Sequence, residues 1–142
     1  MPNQTAIRFG YPDTLIMEYG HWVVLLREPQ PTLGSLILCA KADVTEFSAL
    51  PAGAFAEMST VTGDIERALK AAFAYDKINY LALMMVDPNV HFHVIPRYAE
   101  PRIFDGLAVA DAGWPALPQL GEAADVSAEQ RAALIAHIGG YW

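Results

Sequence analysis

The segment from residue 51 to residue 74 has the most regular pattern in this chain. Its large apolar residues recur at steps of three and four, and they are Phe55, Met58, Val61, Ile65, Leu69 and Phe73. Because this is the spacing of one face of an α-helix, the segment predicts a long amphipathic helix. Pro51 suits its first turn, and Ser48 is expected to cap it. A helix with one apolar face needs a second layer to pack against.

Short apolar runs bounded by glycine and proline supply that layer. They are rich in β-branched, aromatic and large aliphatic residues, and they span residues 15–17, 22–26 and 36–39 before the helix and 78–86 and 90–95 after it. Runs of this length between turn-forming residues are typical of β-strands. The sequence therefore predicts an α+β fold in which a mostly antiparallel sheet of about five strands carries the long helix on one face.

The last third of the chain has a different pattern. Residues 100–125 contain three prolines and few periodic apolar residues, so we expect a long ordered loop there rather than a linker. Ser127 and Gln130 stand at the spacing of a capping box, which predicts a short C-terminal helix that continues through Ile138. We expect residues 1–142 to form a single domain.

The composition argues against several classes of protein. Hydrophobic residues make up 54% of the 142 residues and charged residues 18%, which is too apolar for a disordered chain. The net charge of −7 argues against nonspecific binding to nucleic acid. No uninterrupted apolar run is long enough for a membrane helix, and the N-terminus does not resemble a signal peptide. The single Cys39 cannot form an intrachain disulfide, which favours a cytoplasmic protein. From the net charge and the lack of a membrane segment, we expect neither a nucleic-acid nor a membrane partner.

Two of the four histidines lie in one predicted strand, in the sequence Asn89-Val90-His91-Phe92-His93. Side chains alternate along a strand, so Asn89, His91 and His93 are expected on one face, while Phe92 and its apolar neighbours face the helix. We expect the polar face to be open to a ligand and Asn89 to contact the substrate together with the two histidines. Two adjacent imidazoles serve either as a nucleophile with a proton donor or as two metal ligands.

The spacing of the two histidines leaves other interpretations open. A His-x-His triplet arises by chance in roughly one chain in ten of this composition, and paired histidines also occur on solvated strands. A zinc site would need a third ligand, for which the sequence offers Glu100 at a spacing that fits such sites poorly. We therefore expect no metal and no cofactor.

The ten residues from Asn89 to Tyr98 resemble the signature of the histidine triad (HIT) family, His-φ-His-φ-His-φ-φ, which is often followed by Pro-Arg. Residues 76–88, residues 30–34 and the dipeptide Trp114-Pro115 are also similar to one bacterial branch of that family. The likeness covers a core of roughly residues 20–120. The predicted order of strands and helices agrees with the HIT-like fold that the resemblance implies.

The resemblance implies a nucleotide hydrolase or nucleotidyl transferase that reacts at the α-phosphorus of a nucleoside 5′-phosphate derivative, such as a dinucleoside polyphosphate or a phosphoramidate. His91 takes the position of the nucleophile, which forms a covalent nucleotidyl-histidine intermediate. His93 and Asn79 take positions that hydrogen-bond the phosphate oxygens. Relatives mostly form two-fold dimers, so we expect a homodimer whose surface includes the start of the long helix and residues 80–86.

Weaker candidates for contacts with the substrate are Arg97, Gln30 and Thr32. Arg97 either steadies a phosphate or forms a salt bridge at the end of its strand. Gln30 and Thr32 lie on the loop where relatives approach the nucleotide, but polar loop residues are often simple turn formers. Trp114 either walls a base pocket or anchors the long loop.

The chain departs from the family pattern at two positions. Asn89 stands where the first histidine of the triad is expected. In the family the backbone carbonyl of that residue orients the nucleophile, and any substitution retains a carbonyl. Ser35 follows Gly34, where many members have a fourth histidine near the leaving group. These changes motivate a second hypothesis, a nucleotide-binding protein that has lost catalysis, and the sequence specifies neither the base nor the leaving group.

Overall fold

The computed structural model of this protein describes residues 2–142, and within them it contains seven strands and three α-helices. The strands are β1 (Leu15–Glu18), β2 (Trp22–Leu26), β3 (Leu36–Ala40), β4 (Lys77–Leu81), β5 (His91–Arg97), β6 (Arg102–Phe104) and β7 (Leu107–Val109). The helices are α1 (Gln4–Arg8), α2 (Ala52–Phe73) and α3 (Ala128–Gly139), with a 3-10 turn at Phe47–Ala49.

Five strands form one antiparallel sheet in the order β1-β2-β3-β5-β4. One face of this sheet packs against α2, whose Val61, Ile65 and Leu69 are fully buried in the same cluster as Val24 and Leu38 of the sheet. Helix α3 contacts α2 and adds two buried side chains to this core. The predicted α+β architecture, with one long helix on the sheet and a short C-terminal helix, is therefore confirmed.

The opposite face of the sheet is covered by the N-terminal segment. A second, smaller apolar cluster consists of Ala6, Val23, Leu25, Ile37 and Cys39, with Phe9, Tyr11 and Leu15 packed against it. Strands β2 and β3 are buried on both faces, which explains why their sequences are continuous apolar runs rather than alternating ones. Helix α1 was not predicted, because a five-residue helix is too short to give a periodic signal in the sequence.

Strand β4 is shorter than the predicted run of residues 78–86. It ends at Leu81, which is paired with His93, and residues 82–90 connect it to β5 without strand structure. Leu83, Met85 and Val86 of this connection are exposed, Met85 by 82%. The apolar composition of this segment therefore does not reflect burial within one copy of the chain.

Three local features lie outside the sheet. Helix α2 begins after Pro51 without a side-chain cap, and Ser48 lies in the preceding 3-10 turn, so the predicted cap is wrong. The predicted loop of residues 100–125 contains the hairpin β6–β7, whose three-residue strands are too short to be recognised from a pattern. The predicted capping box of α3 is confirmed by reciprocal hydrogen bonds between Ser127 and Gln130.

Within residues 2–142, none of the helices combines the length and the hydropathy needed to cross a membrane. The cytoplasmic location stays a prediction from the sequence.

Candidate active site

His91 and His93 project from the same face of β5, and their ring centroids are 5.3 Å apart. The intervening Phe92 projects from the other face, where its ring lies 6.2 Å from that of Trp22 in the main core. Across the sheet, His91 is paired with Cys39 and His93 with Ile37 of β3. The alternation expected for this strand thus brings the two imidazoles together on the face opposite α2.

The expectation that this face is open to a ligand is wrong. His91 is fully buried, and only 7% of His93 is exposed. The ring of Phe9, which follows α1, lies 5.4 Å from the His91 ring and 5.8 Å from the His93 ring. The histidines are covered because the N-terminal segment, to which the sequence assigned no structure, packs on this face of the sheet.

The imidazole of His91 is held by one nitrogen only. Its Nδ1 lies 2.8 Å from the backbone carbonyl oxygen of Asn89 and donates to it, since a carbonyl can only accept. In the neutral ring the proton is therefore on Nδ1, and Nε2 carries a lone pair. Nε2 is buried and has no hydrogen-bond partner, the one such side-chain nitrogen or oxygen within residues 2–142. Leaving a buried polar atom without a hydrogen bond costs about 1–3 kcal/mol. Such atoms are therefore rare in folded proteins, and an unpaired one points to a functional role.

His93 has the opposite arrangement. Nε of Arg27 donates to Nδ1 of His93 at 3.3 Å, which leaves the proton of the neutral ring on Nε2. Burial first, and then the charge of Arg27 and the neighbouring His91, lower the pKa of His93 to about 4. His93 is therefore neutral at pH 7. The site combines one imidazole with a free lone pair and a second imidazole with a free N–H.

The side chain of Asn89 faces the N-terminal segment rather than the histidines. Its Oδ1 accepts hydrogen bonds from the hydroxyl and the backbone N–H of Thr5, at 3.0 and 3.3 Å. Its Nδ2 donates to Asp43 at 2.8 Å. Asn89 therefore connects α1 to the sheet through its side chain and orients His91 through its backbone. A direct contact between the Asn89 side chain and a substrate stays a prediction.

Arg97 and Asn79 form a polar cluster with Asp111 farther along the same strands. The guanidinium of Arg97 donates two hydrogen bonds to Asp111, from Nε at 2.7 Å and Nη2 at 3.0 Å, and a third from Nη1 to Oδ1 of Asn79 at 2.8 Å. Arg97 is 4% exposed. Of the two interpretations of Arg97, the structure contains the salt bridge, and a role for either residue in phosphate binding stays a prediction. Trp114 lines a shallow groove with both.

The HIT domain family model matches residues 9–100, which is more than half of the chain. This chain belongs to the HIT family. A histidine triad protein from Sinorhizobium meliloti 1021 is 24% identical and has a TM-score of 0.78, over 100% of this chain and 96% of that protein. One from Bradyrhizobium japonicum is 25% identical with a TM-score of 0.72, over 90% of both chains.

A more distant HIT structure has the same fold. A hypothetical histidine triad nucleotide-binding protein from Sulfolobus tokodaii strain 7 is 17% identical to this chain, with a TM-score of 0.72 over 96% of this chain and 88% of that protein. The HIT-like fold inferred from the signature is therefore confirmed. No match was found among curated proteins.

The position at which many HIT proteins have a fourth histidine belongs to a closed turn in this chain. The hydroxyls of Ser35 and Thr32 share a hydrogen bond of 2.9 Å, and the backbone N–H of Thr32 donates to Ser35 Oγ at 3.2 Å. Gln30 donates to the Ser35 carbonyl at 2.9 Å and accepts from the N–H of Gly34 at 2.8 Å. All of these hydrogen bonds are those of turn-forming residues. A contact of Gln30 or Thr32 with the nucleotide stays a prediction.

Phe9 and Arg27 belong to this site but were not predicted from the sequence. Arg27 stands two residues after Leu25, so strand alternation places both on the same face of β2. That Arg27 lies near the histidines follows only from the strand order β2-β3-β5, which cannot be derived from the sequence pattern. Phe9 lies in the N-terminal segment, for which no element was predicted.

Within the described residues, the structure places no third metal ligand beside His91 and His93. Within the part of the chain that the structure describes, no three histidine, cysteine, aspartate or glutamate side chains are grouped closely enough to hold a metal ion. Glu100, the third ligand considered from the sequence, lies on an exposed turn.

Proposed function

We propose that this HIT protein is a nucleotide hydrolase or nucleotidyl transferase that cleaves at the α-phosphorus of a nucleoside 5′-phosphate derivative. Dinucleoside polyphosphates and nucleoside phosphoramidates are the substrate classes we expect. The observation that carries the proposal is the unpartnered Nε2 of His91, a buried lone pair beside the N–H of a second imidazole. Membership of the HIT family supports the same chemistry.

The reaction has two displacements at phosphorus. The Nε2 lone pair of His91 forms a bond to the α-phosphorus, while the bond from phosphorus to the leaving group breaks and its electron pair departs with the leaving group, which takes a proton from solvent. Water or another acceptor then bonds to phosphorus and loses a proton, and the electron pair of the N–P bond returns to Nε2. His91 therefore ends the cycle in its starting form.

His93 and the Asn89 carbonyl assist without changing their bonding. The Nε2–H of His93 stabilises negative charge on the phosphoryl oxygens, which increases in the transition state. The Asn89 carbonyl accepts from Nδ1 of His91, and this hydrogen bond strengthens when the ring becomes cationic in the nucleotidyl intermediate. The proposal assigns Asn79 to the phosphate as well, after exchange of its hydrogen bond with Arg97.

Substrate entry requires the ring of Phe9 to move. This ring packs on both imidazoles, and the His91 nitrogen that would react has no access to solvent. Phe9 itself is only half-buried and stands at the end of a five-residue helix, so its displacement does not disturb the main core.

Mass spectrometry of the intact protein tests the nucleophile. The protein is exposed briefly to an AMP phosphoramidate or to a diadenosine polyphosphate and quenched in alkali, because N–P bonds of phosphohistidine hydrolyse in acid. We expect an added nucleotidyl group in the wild type and in the control His21→Ala, and none in His91→Ala. An adduct that persists in His91→Ala would assign the nucleophile to another residue.

A second candidate is a nucleotide-binding protein without catalysis. Two observations favour it: Phe9 packs on both histidines, and the hydroxyl of Ser35 is engaged with Thr32. Calorimetry with AMP separates the two candidates. Binding of AMP without an adduct or turnover for any of the nucleotide derivatives would favour the binding protein.

The proposal includes a homodimer formed through β4. This strand is at the edge of the sheet, so the outer side of its backbone has no strand partner within residues 2–142. Leu83 and Met85, which follow it, are exposed apolar residues. An edge strand that pairs antiparallel with its own copy gives a two-fold interface.

Light scattering during gel filtration tests this interface. We expect the mass of a dimer for the wild type and a shift toward the monomer for Met85→Glu. Ile103→Glu is the matched control, since Ile103 is similarly exposed but lies on the separate hairpin β6–β7. A monomeric wild type, or a dimer that Met85→Glu leaves intact, would contradict the proposed interface.

A further inference from the structure

Arg27 is a cation in direct contact with the histidine pair. It follows β2, and its backbone N–H donates to the carbonyl oxygen of Ser35 at 3.0 Å, which places the two residues opposite each other across neighbouring strands. Its side chain donates from Nε to Nδ1 of His93 at 3.3 Å and from Nη1 to the carbonyl oxygen of Pro29 at 2.7 Å. The guanidinium is thus fixed at two points beside the site.

Within the part of the chain that the structure describes, the charge of Arg27 has no carboxylate partner. None of the ion pairs within residues 2–142 includes it, and the neighbouring Glu28 is paired with Arg131 at 2.8 Å instead. A cation that is partly removed from water is normally paired with an anion. The chain has a net charge of −7, so an unpaired cation does not follow from a surplus of basic residues. The missing anion is therefore best supplied by a ligand that binds next to the histidines.

Ser35 contributes nothing to that charge. It stands directly opposite Arg27, at the position where many HIT proteins have histidine, but its hydroxyl is hydrogen-bonded to Thr32 within the turn. Arg27, directly opposite Ser35 at the end of the neighbouring strand, extends its side chain to His93. Its Nη2 has no hydrogen-bond acceptor within the described residues, so one N–H group of the fork is free for a phosphate oxygen.

We propose that Arg27 is a positioning residue that holds His93 with its Nε2–H toward the substrate phosphate, and that its guanidinium supplies the cationic donor that Ser35 does not. This inference rests on the proposed function, because the phosphate it assigns to Arg27 is that of the nucleotide. The two parts of the role are separable. The Nε–H orients His93, and the charge attracts the phosphate.

Three substitutions separate the hydrogen bond from the charge. In Arg27→Gln, Nε2 of glutamine occupies the position of Nε of arginine, so the donor to His93 is kept and the charge is lost. Arg27→Lys keeps the charge but has a methylene at that position. Arg27→Met loses both. Arg67→Gln and Arg67→Met are the controls, because Arg67 is a more exposed arginine on α2, away from the histidines.

Single-turnover transfer of AMP from an AMP phosphoramidate gives the first measurement. We expect a loss of roughly 10-fold when only the charge is removed, in Arg27→Gln, or only the hydrogen bond, in Arg27→Lys, and roughly 100-fold when both are removed, in Arg27→Met. We expect the Arg67 variants to retain the wild-type rate. Wild-type rates in all three Arg27 variants, with activity abolished in His91→Ala, would overturn the role of Arg27 and leave the proposed function intact.

Titration of the histidine ring protons by NMR gives a second measurement that does not depend on turnover. The wild-type pKa of His93 is about 4, and part of this depression is due to the charge of Arg27. We expect the His93 titration to move to higher pH in Arg27→Gln and Arg27→Met and to stay low in Arg27→Lys. A merely structural role for Arg27 would not separate charge-neutral from charge-retaining variants in this way.

The two measurements also distinguish the failure of this inference from that of the proposed function. If the wild type neither binds AMP nor forms an adduct, the proposed function and the phosphate contact of Arg27 both fall, and the NMR titration still decides the contact with His93. An unchanged His93 titration in Arg27→Met would overturn that contact. Should Arg27→Met fail to fold, as judged by circular dichroism, the His93 titration, which is expected to move to higher pH in Arg27→Gln and to stay low in Arg27→Lys, carries the same test.

Discussion

The backbone carbonyl of Asn89 lies 2.8 Å from Nδ1 of His91 and fixes the lone pair of that imidazole on Nε2. This contact uses only the main chain of Asn89, so the absence of histidine at the first position of the triad does not remove it. The side chain of Asn89 is used elsewhere, in hydrogen bonds with Thr5 and Asp43. A single residue thus orients the proposed nucleophile and connects the N-terminal segment to the sheet.

Restoring the family residue is therefore expected to harm this protein. In Asn89→His the carbonyl is kept, so we expect no gain in turnover. The three hydrogen bonds of the Asn89 side chain with Thr5 and Asp43 are lost, and at about 1 kcal/mol each this lowers the free energy of unfolding by roughly 3 kcal/mol. Urea unfolding measures the stability, and Thr5→Val, which removes the hydroxyl that donates to Oδ1 of Asn89 and accepts from its backbone N–H, should lose about two thirds as much. Higher turnover in Asn89→His would mean that the first-position side chain takes part in the reaction.

The low pKa of His93 makes stability depend on pH. Its value of about 4 in the folded protein lies below the value of about 6.5 expected in the unfolded chain, so the unfolded chain binds more protons between these limits. The free energy of unfolding contributed by His93 is fully present above about pH 6.5 and is lost as the pH falls toward 4, by an amount on the order of 3 kcal/mol.

Urea unfolding of the wild type and of His93→Gln at several pH values within this window isolates that contribution. Carboxylates such as Glu18 and Asp64, whose pKa values are lowered by hydrogen bonds from Lys41 and Tyr19 respectively, also lose stability in acid, but equally in both proteins. We expect the wild type to lose stability more steeply than the variant between pH 6.5 and 4. Parallel curves would show that His93 titrates normally in the folded state.

The buried pair Arg97–Asp111 anchors residues 100–125 to the end of β5. Both side chains are almost completely buried, and two hydrogen bonds join them. In Asp111→Asn the guanidinium loses its counter-charge without regaining water, which is expected to lower the free energy of unfolding by roughly 3 kcal/mol or more. Glu28→Gln, which breaks the more exposed pair with Arg131, should cost at most about 1 kcal/mol. Similar losses in both variants would show that the Arg97 site admits water.

Much of this fold could be predicted from the sequence, because burial of one face of a helix or strand produces a regular spacing of apolar residues. The spacing of Val61, Ile65 and Leu69 predicted α2 because one helix face contacts the sheet, and this is the strongest constraint on a helical sequence. The alternation around Phe92 likewise placed the two histidines on one face. Residues 82–86 were misassigned to a strand because an apolar run looks the same whether it is buried in its own chain or exposed.

The parts of the site that could not be predicted depend on contacts between distant segments. Phe9 reaches His91 across more than eighty residues of sequence, and no local pattern encodes that contact. The side chain of Arg27, at the end of β2, reaches His93 of β5 across the single intervening strand β3. This contact depends on the strand order, which is a property of the whole sheet. The sequence located the two histidines, whereas the burial of His91 and the partner of His93 required the tertiary structure.

The ring of Phe9 packs on His91 with the ring centroids 5.4 Å apart, and chemical modification measures how far this ring limits access to the imidazole. Diethyl pyrocarbonate modifies the unprotonated nitrogen of accessible histidines. In the wild type His91 should react slowly, because its free Nε2 is buried. Phe9→Ala removes the ring that covers this nitrogen, so we expect His91 to be modified much faster. Because Phe9 is half-buried, we also expect this substitution to lower the free energy of unfolding by about 2 kcal/mol.

Peptide mass spectrometry of samples taken over time gives the modification rate at each histidine. The rate at His21, which lies on another strand connection, serves as the internal reference in every sample. Phe47→Ala is the matched variant, because Phe47 packs on Phe92 at the other face of the same strand and its removal leaves His91 covered. Equal acceleration in both variants would indicate general loosening of the sheet, and fast modification of His91 in the wild type would show that the N-terminal segment does not close the site in solution.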